Sequence, residues 1–379
     1  MNNKTAARNV SVDALRTISI LLVLVLHTLP YLPLPRLMRP NAGYYGVTLF
    51  FVISGFLITS GAMRRYGAAL TIPPLGFYQF RAARIVPGLL LFTFLNAVFY
   101  LQAVPGFELI KTGPAALPEL LFYVFTFQAN VYAFLGGLPH AWFVLWSLAI
   151  EEMFYLLFPL VCFVIPSRRG LIAFLCSIIL FGPISRLWIY PAGIYSYSGC
   201  FDQLALGCLT ALAVSTLRPN RVVARALQFA GMIGCMAAYF LIEPTDVMGP
   251  SAMALGGALF LAGSGRDVSS SPVARFFTLP GQWSYEIYLF HMPILKLLYA
   301  NGILGLFAAR YGMGAAFILT FIAIFAISGG IGVWLLAPFS SRIRGRSMPP
   351  RDGRPAATAH ARSADLLLVG DGNSRGVSA

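Results

Sequence analysis

The stretch DALRTISILLVLVLH, residues 13–27, decides the fold. Its apolar run is nearly long enough to cross a hydrocarbon core of about 30 Å, which takes roughly twenty helical residues. Yet it opens with Asp13 and Arg16 and closes on His27. A buried ionisable group in a membrane is costly and marks function by default. Comparable runs recur near residues 17–32, 43–62, 85–104, 119–136, 141–165, 171–190, 199–217, 226–242, 247–264, 281–300 and 313–337.

Composition points the same way. The 379 residues are 58% hydrophobic and only 11% charged, against about 25% charged in an ordinary soluble domain. Mean hydropathy is +0.76. A soluble protein of this length could not keep so much apolar surface dry. A transmembrane barrel would show alternating ten-residue strands, whereas these runs are continuous. The expected fold class is all-α, a polytopic transmembrane helical bundle.

Net charge is +14, which in a soluble chain would suggest nucleic acid. Here the basic residues sit in short loops between apolar runs, so they report topology and no nucleic-acid partner is expected. Suppose the run at 119–136 does not fully cross. The basic loops at 64–84, 168–169, 218–225 and 266–275 then share one side with both termini. Only Arg36, Arg39, Lys111 and Arg310 face the other side, with Arg186 and Lys296 inside spans. The positive-inside rule favours that reading: about ten spans, both termini cytoplasmic, and a re-entrant or interfacial segment at 119–136.

Residues 1–339 read as one membrane-embedded domain. Residues 340–379, rich in Arg, Ser, Gly, Pro and Ala, read as a basic disordered cytoplasmic tail. The five cysteines form no CxxC pair and lie in or beside apolar segments, so buried thiols are expected and no metal. The first run meets the Pro-rich stretch YLPLPRLMRP, not a small-residue cleavage site, so no cleavable signal peptide is expected.

The ionisable residues carry the functional reading. Arg16 and His27 lie eleven residues apart, about 16 Å on a helix. With Arg16 at the cytoplasmic interface, His27 falls near mid-membrane. Asp13 and Arg16, three apart, can pair on one helix face. His27 suits either a helix–helix hydrogen bond or a general base facing a cavity. In FYQFRAARIVPG, residues 77–88, Arg81 and Arg84 share a helix face. They can serve as boundary anchors or clamp a phosphate with paired hydrogen bonds. WFVLWSLAIEEMFYLLFP, residues 142–159, holds adjacent Glu151 and Glu152, with Trp146, Ser147 and Tyr155 a turn away. Such carboxylates need partners, either a pairing arginine or a group that one of them orients. SYEIYLFHMPILK, residues 284–296, adds His291 as a second polar candidate.

Five features stand in order: Arg-x10-His (16–27), FFVISGFLIT (50–59), Arg-x-x-Arg (81–84), WSLAIEEMFYLLFP (146–159) and SYEIYLFHMP (284–293). Together they resemble the acyltransferase-three family of integral membrane O-acyltransferases, over about residues 8–338. The resemblance implies about ten transmembrane helices in a bacterial cytoplasmic (inner) membrane. It implies no permanently bound cofactor, acyl-CoA (usually acetyl-CoA) as donor, and a hydroxyl acceptor. Acceptors in that family are commonly sugars of surface or lipid-linked glycans, and for some members macrolides. By motif, Arg16 and His27 match the family's first essential pair and Arg81 and Arg84 its second basic motif. Glu151 and Tyr155 fall in its Trp-Ser-Leu block, with Glu152 beside them. The last block departs from the family pattern at Glu286. Many members carry a fused periplasmic esterase-like domain, and none is expected here.

The expected chemistry follows. Acyl-CoA enters from the cytoplasm, its phosphates meet Arg81 and Arg84, and its thioester reaches His27. His27 acts as general base or as acyl carrier. Glu151 or Glu152 orients the imidazole or balances an arginine. Ser147, Tyr155 and Trp146 supply possible donors for an oxyanion. A transporter, the competing class, predicts inverted repeats, and the sequence shows no such symmetry.

Overall fold

In the computed structural model, the described residues are 9–32, 43–66, 72–165, 167–188, 195–217, 219–264 and 278–339. The expected tail, 340–379, lies outside them. Thirteen α-helices run through these segments. They are α1 (Val10–Thr28), α2 (Tyr44–Tyr66), α3 (Pro74–Leu101), α4 (Ala116–Phe125), α5 (Ala129–Phe134), α6 (Leu145–Val164) and α7 (Arg168–Trp188). There follow α8 (Tyr197–Leu217), α9 (Arg221–Leu241), α10 (Gly249–Gly263), α11 (Ser284–Ala300), α12 (Ile303–Tyr311) and α13 (Met313–Gly330). No strand occurs among the described residues.

The protein is a multi-pass membrane protein. Eight helices are long and apolar enough to cross a bilayer, and α11 with α12 makes a ninth candidate bent by 72°. The tenth expected span, α10, has only 15 residues, about 22 Å of helix, and falls short of the core thickness. The 119–136 run does not form one crossing helix. It splits into α4 and α5 at Phe127, whose φ of 57° is left-handed. Tyr197 Oη donates to the Phe127 carbonyl at 2.5 Å, and Lys111 ties α4 down through Glu119 at 2.5 Å.

Helix α1 begins earlier than its apolar run. Asn9 caps it by accepting from the Val12 N–H at 3.2 Å and donates to the Ser264 carbonyl at 2.7 Å. Asp13 in the first turn suits the positive end of the helix dipole. Hydropathy alone registers the lipid-facing run and not the cap. Arg16 therefore sits inside α1, and His27 lies in its last turn.

Small residues let the bundle close. Gly43 and Gly46 of the α2 entry pack on Leu22, Leu26 and Ser19 of α1. Gly55 of α2 and Gly207 of α8 each face the other helix's backbone, at the Leu204 and Val52 carbonyls. A methyl at either would drive into main chain, and overpacking of this kind costs about 1–3 kcal/mol. Gly207→Ala is expected to lower the melting midpoint in detergent. Gly330→Ala, with nothing within 4 Å, should leave it unchanged or higher, and equal midpoints would contradict the close α2–α8 approach.

Parallel packing of α11 on α1 sets the site. The Gly281 N–H donates to Thr17 Oγ1 at 2.9 Å. Ten residues further along each chain segment of the pair stand His291 and His27. Tyr285 Oη donates to the Ile85 carbonyl at 2.9 Å and holds α11 against α3. Glu286 packs on Gly332, within the π-helical turn Ile331–Leu336 that continues α13.

Candidate active site

A cavity of about 760 Å³ opens between α1, α2, α3, α6 and α11. Five guanidinium groups line it, from Arg16, Arg64, Arg65, Arg81 and Arg84, against the two carboxylates Glu151 and Glu152. Arg64 and Arg65 come from the last turn of α2, and Arg81 and Arg84 from the first half of α3. Aromatic faces hold two of these arginines in place. The Arg81 guanidinium lies 4.1 Å from the Tyr155 ring centroid, and that of Arg65 lies 3.9 Å from Phe80. Such stacking orients a planar cation without using its donors.

The cavity continues into a chamber of about 80 Å³. Arg16, Ser54, Arg84, Leu148, Glu151 and Tyr285 line both spaces. Phe50, Phe51, Ser147 and Tyr288 line only the chamber. Ser147 Oγ and Tyr288 Oη face each other at 2.5 Å, and the Phe50 ring packs edge-on against Tyr288 at 5.7 Å.

The two glutamates separate in role because neighbours on a helix point about 100° apart. Glu151 reaches both spaces and accepts from Ser54 Oγ at 2.9 Å and, more weakly, from Tyr155 Oη at 3.5 Å. Glu152 faces only the larger cavity, and its buried Oε1 has no hydrogen-bond partner among the described residues. A bound molecule with N–H donors would satisfy it.

Beyond Tyr288 lies the histidine pair. His291 Nε2 stands 3.1 Å from His27 Nδ1, and the ring centroids are 5.0 Å apart. Neither histidine lines the two cavities. Tyr288 connects chamber and pair: its hydroxyl meets Ser147, and its carbonyl lies 2.7 Å from His291 Nδ1.

The fold thus gathers Arg16, Arg81, Arg84, Glu151, Glu152, Tyr155 and Ser147 along one path and brings His27 and His291 together beside it. Asp13 stays outside the cavities and pairs with Arg16 at 3.8 Å, so it supports the arginine and does not face the path. Trp146 also lines neither space and packs edge-on against Phe51 and Tyr195. The sequence patterns assign no role to Ser54 or Tyr288. For Tyr288 a signal existed, since it precedes His291 by one helical turn. For Ser54 none did, because its partner lies 97 residues away.

Comparison with known proteins places these features. The family model described as "Acyltransferase domain" matches residues 9–335. The chain is 28% identical over 317 residues to the peptidoglycan O-acetyltransferase OatA of Listeria monocytogenes, covering 76% of this chain and 49% of that protein. It is 30% identical over 286 residues to the O-acetyltransferase OatA of Staphylococcus aureus, covering 67% of this chain and 46% of that one. The chain spans about half the length of the curated relatives it matches. No solved structure matches it significantly.

Proposed function

The chain belongs to the acyltransferase family whose domain extends over residues 9–335, and from that premise we propose that it is a membrane O-acetyltransferase. In this reading it moves an acetyl group from acetyl-CoA to a hydroxyl of a cell-surface or lipid-linked glycan. The observation that carries the proposal is a five-arginine cavity that continues into a small chamber, with a paired imidazole beside it, behind Tyr288. The names of the Listeria and Staphylococcus relatives support O-acetylation, and the Listeria name supports peptidoglycan as acceptor.

The arginine-lined mouth suits the phosphates of CoA, which guanidiniums bind through paired, charge-assisted hydrogen bonds. Glu152 suits the amide N–H groups of the pantetheine arm. The chamber is small, about 80 Å³, a size that suits a short acyl group such as acetyl. At the thioester, the acceptor oxygen bonds to the carbonyl carbon and gives its proton to His27. The carbon–sulfur bond breaks, and the CoA thiolate takes that proton back. With Ser147 donating to Tyr288, the Tyr288 hydroxyl keeps its own proton to donate to the carbonyl oxygen as it gains charge. Transfer through an acyl-His27 intermediate uses the same groups. CoA chemistry puts the arginine mouth in the cytoplasm, both termini with it, and the protein in the bacterial cytoplasmic membrane.

Steady-state turnover of acetyl-CoA by the purified protein in nanodiscs tests the proposal. Arg81→Gln and Arg84→Gln each remove a charge-assisted contact of about 1.5–3 kcal/mol. Each is expected to raise KM for acetyl-CoA by about tenfold or more with a smaller change in kcat. Added salt should raise the wild-type KM and affect the variants less. A wild-type protein that turns over no acetyl-CoA with any hydroxyl acceptor would end this reading.

A further inference from the structure

The geometry points to His291 as the positioning residue that holds His27 in one tautomer, with the proton on Nδ1 and the lone pair of Nε2 presented for reaction. This rests on the proposed role of His27. His291 is fully buried. Its Nδ1 lies 2.7 Å from the Tyr288 carbonyl and 3.2 Å from the Ile287 carbonyl. Both partners only accept, so Nδ1 carries the hydrogen and donates to them. In the neutral ring, Nε2 is then bare and can only accept.

That bare nitrogen faces His27 Nδ1 at 3.1 Å. His27 Nδ1 is also 3.1 Å from the Val23 carbonyl. A proton on Nδ1 satisfies both acceptors in a three-centre bond. A proton on Nε2 instead would bring three lone pairs together at one point. The chain of donors therefore runs from His27 to His291 to the Tyr288 carbonyl. It leaves His27 Nε2 with no hydrogen bond among the described residues.

This arrangement does the work that a carboxylate does in a Ser-His-Asp triad, where a change that enforces the wrong tautomer costs about 10⁴-fold in kcat. Here the acceptor is neutral. When His27 takes a proton on Nε2 its ring becomes cationic, and the bond from Nδ1 to His291 strengthens because its donor is charged. The register contact between Gly281 and Thr17 holds the two rings at bonding distance.

The test is solid-state NMR of the full-length protein labelled with ¹⁵N-histidine. The chain has only four histidines, and His27 is assigned by its loss in His27→Gln. Wild type is expected to show His27 protonated at Nδ1 and bare at Nε2, and His291→Leu to show a mixture of tautomers. In parallel, His291→Leu should lower kcat by about 100-fold or more with KM for acetyl-CoA unchanged. His291→Gln can place its amide oxygen where Nε2 stood and should recover activity to within about tenfold of wild type. A wild-type His27 protonated at Nε2 would overturn the inference, as would full activity in His291→Leu or equal losses in the two variants. If acetyl-CoA is not turned over at all, the functional reading fails while the NMR result still decides the tautomer.

Discussion

The His27→Ala protein is expected to transfer acetyl groups about 10²–10⁴-fold more slowly than wild type, the range for loss of a positioned general base. Its KM for acetyl-CoA should stay near the wild-type value, because His27 lies outside the arginine-lined cavity. Its level in the membrane should hold as well. His27 sits in the last turn of α1, and its hydrogen bonds among the described residues go only to His291 and to the Val23 carbonyl one turn back. Two measurements check this: the O-acetyl ester content of whole-cell glycan at matched expression, and turnover by purified protein. Loss in both supports chemistry at His27. Undiminished turnover by purified His27→Ala would remove His27 from the mechanism, whatever the cells show.

Asp202→Leu is expected to destabilise the bundle by about 3–5 kcal/mol, the usual cost of leaving one partner of a buried ion pair uncompensated. Arg186 and Asp202 are 2% and 3% exposed as side chains, and neither lines the cavity or the chamber. Arg186 meets both Asp202 oxygens, at 3.1 and 3.0 Å. Its remaining donors reach the Val247 and Gly199 carbonyls and Ser251 Oγ, and Ser251 donates back to Asp202 at 2.7 Å. This cluster joins α7, α8 and the start of α10. Thermal unfolding in detergent should show Asp202→Leu melting well below wild type, with catalytic constants at low temperature near normal. Arg186→Met/Asp202→Leu removes both charges and should recover much of the loss. Arg186→Lys should not restore it, since one ammonium cannot reproduce the guanidinium fork. A double variant no more stable than the single one would contradict the account.

An intramembrane charge signals function by default, and this pair shows how that rule fails. Taken singly, Arg186 and Asp202 look like His27: isolated ionisable groups within apolar runs. The structure separates them by what they meet. Arg186 and Asp202 pair with each other and with the Val247 and Gly199 carbonyls and Ser251, and form a scaffold. Glu152 keeps a buried oxygen without a partner among the described residues, and it faces the cavity.

The sequence by itself determined the helical membrane class, nearly every span, the failure of 119–136 to cross as one helix, and the arginines and glutamates that line the cavity. These follow from hydropathy, charge and motif spacing, which are local properties of the chain. Hydropathy did not locate the start of α1, because capping by Asn9 is a hydrogen-bonding event that it does not register. It overestimated α10, whose apolar flanks leave the helix at Gly249 and Gly263. Only the tertiary structure decided that Glu151 and Glu152 divide, that Asp13 and Trp146 stand off the path, and that His27 bonds to His291 across 264 residues of sequence. Those outcomes depend on the register and rotation of packed helices. Register is set by contacts such as Gly281 on Thr17 and Gly207 on Val52, and no segment carries that information alone.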